Sequence, residues 1–280
     1  MRRREIEKYE IYVNAPLAYV TVEVRFPGAP DQTVGAAVQR AFRDVLGEDW
    51  VIDQILQQQL AFGLNAGPSA LGPSIRQTGF PRFTVRDRTT AVGLTSNSVT
   101  IETTDYRGWL TFRSVLELAL RAAAELLKPE GVARVGVRFI DEIRVPGVEQ
   151  AAAWSGWLDQ SVLAPAGDDM NGAGFETSTW TGAAQYSVGT DKTLVLRYGP
   201  QQGYAVDPNG AIKRPNPPPP GPMFLLDFDC FWEPRTIPLF SVEELLETCD
   251  TLRVPLHRLF DDIVTPKLVE NVFRMKALKP

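Results

Sequence analysis

The chain has 280 residues, 44% hydrophobic and 22% charged, which is enough apolar material for a real core and too much for a disordered or fibrous protein. Its 29 basic and 34 acidic residues leave a net charge of −5, which opposes wholesale binding to phosphate backbones or anionic lipid. No window approaches the roughly 20 apolar residues of a membrane span, and the basic start MRRREIEKYE has no apolar stretch behind it. A cytoplasmic protein without a cleaved export signal is therefore expected. Two cysteines, Cys230 and Cys249, make neither a disulfide framework nor a zinc site, which fits a reducing compartment.

The first element is a half-buried strand. PLAYVTVEVRF (16–26) sets Val20, Val22, Val24 and Phe26 on one face and Tyr19, Thr21, Glu23 and Arg25 on the other. Val34, Val38, Ala41, Phe42 and Val45 then recur at helical spacing. Residues 50–62 read as a helix and the Gly-, Pro- and Ser-rich stretch 63–74 as a loop. Three short β runs follow between Phe83 and Thr103, an antiparallel meander. Asp105 is placed to cap a strong helix over Tyr106–Leu127 whose stripe holds Trp109, Phe112, Leu116 and Leu120, with Pro129 and Gly131 stopping it.

ARVGVRFIDEIRVPG (133–147) is a strand with Val135, Val137, Phe139 and Ile143 inward and Arg134, Arg138, Glu142 and Arg144 outward. Residues 152–163 read as a helix, 164–177 as a loop, and TGAAQYSVG and KTLVLRYG as strands. Pro217–Pro220 form a stiff polyproline connector into the strand MFLLDFDCFW. Ser241 with Glu244 is a capping box, and Thr265 followed by Pro266 opens a last helix. The order gives an α+β class, with helices on one face of a mostly antiparallel sheet. Residues 1–148 and 149–280 form two modules, either pseudo-duplicated or sharing one continuous sheet.

In the strand MFLLDFDCFW, Asp227 and Asp229 share the face turned away from the better core residues. Two carboxylates so spaced can hold Mg²⁺ for phosphoryl or nucleotidyl transfer. That chemistry also wants a phosphate-gripping loop, and neither G-x-x-x-x-G-K-[ST] nor G-x-G-x-x-G occurs between a strand and a helix. Arg138 and Arg197 lie on polar faces of neighbouring strands, so ion pairing is the favoured reading and metal binding the alternative.

Elsewhere the signals are structural. His257 is the sole histidine and sits beside an apolar helical stripe, which reads as packing and excludes multi-histidine zinc sites. A Ser-His-Asp site would need it, yet no G-x-S-x-G turn is present. DDMNGAGFE (168–176) lacks EF-hand ligands and reads as a solvated loop. The basic ends, Arg2–Arg4 and Arg274, Lys276 and Lys279, read as solvated termini.

NAPLAYVTVEVRF, YRGWLTF, VGVRFIDEI, LLDFDCFW and LHRLFDDIVT, in that order across nearly the whole chain, resemble a sporadically distributed family of uncharacterised bacterial and archaeal proteins. Where that family carries asparagine, this chain has Asp141. The resemblance implies no catalytic residues; its patchy occurrence implies mobile or antiviral-defence loci. The expectation is a non-enzymatic protein, without a cofactor, that binds a protein partner as a subunit or accessory. Self-association stays open, membrane association is not expected, and nucleic acid is disfavoured by charge. The alternative is a metal-dependent enzyme acting on nucleotides or nucleic acid through Asp227 and Asp229.

Overall fold

A computed structural model describes residues 12–28, 34–61, 74–163 and 177–274. The protein is α+β: one open antiparallel sheet of nine strands with four helices packed against it. The strands are β1 (Leu17–Arg25), β2 (Trp50–Ala61), β3 (Ser74–Val85), β4 (Thr90–Leu94), β5 (Ser98–Thr103), β6 (Arg134–Ile143), β7 (Gly182–Gly189), β8 (Lys192–Gly203) and β9 (Gly221–Trp232). The helices are α1 (Ala36–Leu46), α2 (Trp109–Leu126), α3 (Val242–Ile263) and the short α4 (Pro266–Leu268). Strand order is β2-β3-β4-β5-β1-β6-β9-β8-β7, so both halves of the chain join at the β6–β9 pairing.

Alternation fixes which face is covered. In β1, Val20, Val22 and Val24 are wholly buried, and the register sets them beside Ile101 and Val99 of β5 and Val135, Val137 and Phe139 of β6. Phe228 and Cys230 of β9 and Leu194 and Leu196 of β8 extend the same apolar layer. On it α1 meets α2, α2 meets α3, and α3 lies against β6, β9 and β8. In α2, Trp109, Phe112, Leu116 and Leu120 are all buried. Phe112 is 4% exposed and meets Tyr106 and Trp109 at ring distances of 6.3 and 5.8 Å. Phe112→Ala is therefore expected to cost about 3–5 kcal/mol in urea unfolding.

Several expectations need correction. Residues 50–61 form a strand, because twelve of them pair in register with β3, a non-local match that outweighs local helical spacing. Residues 152–163 form two 3₁₀ turns, Ala151–Trp154 and Gln160–Val162, since Gly156 between them takes φ 80° and breaks any continuous helix. Helix α2 starts three residues later than its Tyr106 expectation: Gly108, at φ 105°, is the N-cap, and the Asp105 carboxylate is taken by Arg107. Val45 of α1 is 39% exposed, while Leu46 faces inward. After α4 the chain closes in a π-turn over Val269–Phe273. The Ser241 and Thr265 caps are present, accepting from the amides of Glu244 and Leu268. The loop expected over 63–74 lies outside the described residues apart from Ser74, as do the acidic stretch 168–176, the basic residues 2–4, and Lys276 and Lys279. Among the described residues no helix is long and apolar enough to cross a membrane.

Candidate functional site

The second face of the sheet carries charge where the first carries hydrocarbon. Arg138 sits directly opposite Asp229 in the β6–β9 register but reaches two positions along β9, to Asp227, with Nε and an Nη donating to the two carboxylate oxygens at 2.7 and 2.8 Å. Arg197 of β8 stands opposite Asp227 and donates to it at 3.4 Å. Asp229 is engaged by Arg134 instead, at 3.6 Å, a partner the sequence reading did not assign. The Arg134 guanidinium lies over the Phe231 ring, 4.5 Å from its centroid, and also pairs with Glu23 and Glu233.

Elevation separates the two signs. The Asp227 side chain is 6% exposed and Asp229 22%, whereas Arg138 and Arg197 are 41% and 48% exposed. The carboxylates form a floor with guanidiniums above it. Hydrogen bonding to Asp227 raises the Arg138 pKa, and burial raises that of Asp229.

Towards the β3 side the network continues through residues that strand periodicity alone could not join. Glu102 of β5 accepts from the Tyr19 hydroxyl and from Arg82, each at 2.5 Å. Burial and the adjacent Glu102 push the Tyr19 phenol well above its ordinary value. Only the β3-β4-β5-β1 order brings Arg82 to Glu102.

At one end of this face the segment between β8 and β9 forms a strap. Arg214 pairs with Glu142 at 2.8 Å, the Ala205 amide donates to Glu142 at 2.8 Å, and the Lys213 amide reaches the Arg88 carbonyl at 2.7 Å. Thr104 Oγ1 donates to the Lys213 carbonyl at 2.5 Å. The stiff proline connector, with Pro217, Pro219 and Pro220 exposed, is the outgoing limb of this strap, which is anchored on Glu142 through Ala205 and Arg214.

The remaining sequence candidates pack. Cys230 and Cys249 are buried free thiols on separate elements, and burial pushes the Cys230 thiol to about 12. The His257 ring meets Phe139 edge-on at 5.5 Å, and burial lowers its pKa to about 3. Among the described residues no group of three or more His, Cys, Asp or Glu side chains could hold a metal ion.

An ion at Asp227 would have to displace a bidentate guanidinium. Asp227→Asn is expected to cost roughly 0.5–3 kcal/mol, because charge-assisted bonds are lost and the arginine is half in water. Millimolar Mn²⁺ should leave the wild-type melting temperature unchanged. Saturable stabilisation by Mn²⁺ that vanishes in Asp227→Asn would reinstate the metal reading.

No protein-family model matches the chain, and no curated protein matches its sequence.

Proposed function

We propose that the protein is a non-enzymatic binding subunit that docks an acidic surface of a protein partner on the second face of its sheet. The observation that carries this reading is the layering of charge: Arg138 and Arg197 stand 41% and 48% exposed above an Asp227 side chain that is 6% exposed. The acid beneath fixes each guanidinium in place, so less side-chain entropy is lost when a partner carboxylate arrives. A net charge of −5 for the whole chain limits affinity for nucleic acid while leaving this local patch able to recognise carboxylates. A subunit of this kind suits the mobile or antiviral-defence setting implied by the family resemblance.

The test is capture from an extract of the producing organism on immobilised wild type and on Arg138→Gln/Arg197→Gln, with the melting temperature of each as a folding control. The wild type should retain a protein that 1 M salt releases, because the screening length falls to about 3 Å there. The double variant should lose it while staying folded. Capture that nuclease treatment abolishes would point to a polynucleotide, and equal capture by both proteins would place the binding elsewhere.

A further inference from the structure

An open sheet has two edges, and among the described residues no strand pairs with the outer side of β7. Natural edge strands are usually blunted by lysine, proline or an inward-pointing charge, because their unpaired N–H and C=O groups are templates for another strand. β7 reads Gly-Ala-Ala-Gln-Tyr-Ser-Val-Gly, with no charge and no proline over eight residues. Ala183, Gln185, Tyr186 and Ser187 are exposed, Tyr186 by 41%. The opposite edge strand, β2, carries Asp53.

The order of side chains along β7 is self-complementary. β7 is regular against β8 from Gly182 to Ser187, its register shifting only after that; if two copies pair antiparallel about a two-fold axis through Gln185, then Ala184 lies opposite Tyr186 and Ala183 opposite Ser187, while Gln185 meets its own copy. Each larger side chain is set against a smaller one on the same face, and no like charges meet. Arg197 lies on β8, opposite Ala183. Its symmetry mate would be at least three strand spacings away, about 14 Å, which exceeds the screening length of about 8 Å in physiological salt.

We propose that β7 is the homodimer interface of this protein, joining two sheets edge to edge through the Gln185 axis. Because an antiparallel edge pairing keeps both second faces on the same side, the dimer presents two arginine-topped patches on one continuous surface. This assignment stands apart from the identity of any partner.

Sedimentation equilibrium of the wild type across micromolar concentrations should give twice the 31.0 kDa chain mass. Gln185→Lys places two like charges on the axis and should give monomers that keep the wild-type far-ultraviolet circular dichroism. Gln185→Cys should crosslink to itself on mild oxidation, since opposed Cα atoms lie about 4.5–5.5 Å apart, inside the disulfide range. Ala183→Cys alone should not crosslink, because its opposite residue is Ser187. The buried Cys230 and Cys249 leave this readout clean. A wild type that stays monomeric, a dimer that survives Gln185→Lys, or crosslinking through Ala183→Cys in preference to Gln185→Cys would each overturn the proposal.

Discussion

Asp141→Asn is expected to stabilise the protein at pH 8, by an amount that shrinks as the pH is lowered towards 5. Asp141 is 5% exposed and faces the helix side of the sheet, opposite Leu17 and Leu226. Burial alone pushes its carboxyl from 3.8 up to about 8. The folded protein therefore holds a proton there that the unfolded chain gives up, and stability falls as the pH rises from about 4 to 8. At about 1.36 kcal/mol per unit, the wild type forfeits on the order of 4 kcal/mol by pH 7, which a neutral amide of the same shape does not. His257 acts in the opposite sense: held at about 3 when folded, it resists protonation that the unfolded chain accepts near 6.5. These two slopes cancel between about pH 4 and 6.5, so the decline due to Asp141 emerges above that window. Melting curves of wild type and variant at pH 5 and pH 8 check this. A gap that is the same at both values, or a variant less stable at pH 8, would contradict it.

Glu142→Ala, one residue further on, should do the reverse and destabilise by about 3 kcal/mol. Glu142 points to the second face with its side chain fully buried. Burial would raise its pKa, but the Ala205 amide, Arg144 and Arg214 outweigh that and hold the carboxyl below its ordinary range. Its contribution is present above the unfolded pKa and is lost as the pH falls through the folded one, so the variant's deficit should narrow in acid. Removing it also leaves Arg144 and Arg214, 21% and 13% exposed, without their acid. The strap should then open, and faster hydrogen exchange at the Ala205 and Lys213 amides is the local readout. Unchanged exchange there would show that the strap is held by other contacts.

The contrast between these neighbours marks what the sequence made legible. Strand alternation gave the two faces of β1, β6 and β9, and with them the shared face of Asp227 and Asp229, because a period of two is a local property. Of the arginines on Glu142, Arg144 is two residues away but Arg214 is 72 away by number, and Glu102 takes Arg82 from across β4; no local pattern encodes these long-range partners. Residues 50–61 failed for the same reason, their strand state being decided by pairing with β3. The 152–163 stretch, with Trp154, Trp157 and Leu158 at helical spacing, misled because Gly156 interrupts it at positive φ.

The partner is expected to cover the arginine-topped face of the sheet. Arginine-selective dicarbonyl labelling, quantified by mass spectrometry in the free protein and in the captured complex, tests it most directly. Arg138 and Arg197 should be protected in the complex, while Arg121 on the outside of α2, 52% exposed, should label equally in both. Protection of Arg121, with Arg138 and Arg197 labelling as in the free protein, would place the partner on the helices and contradict the account.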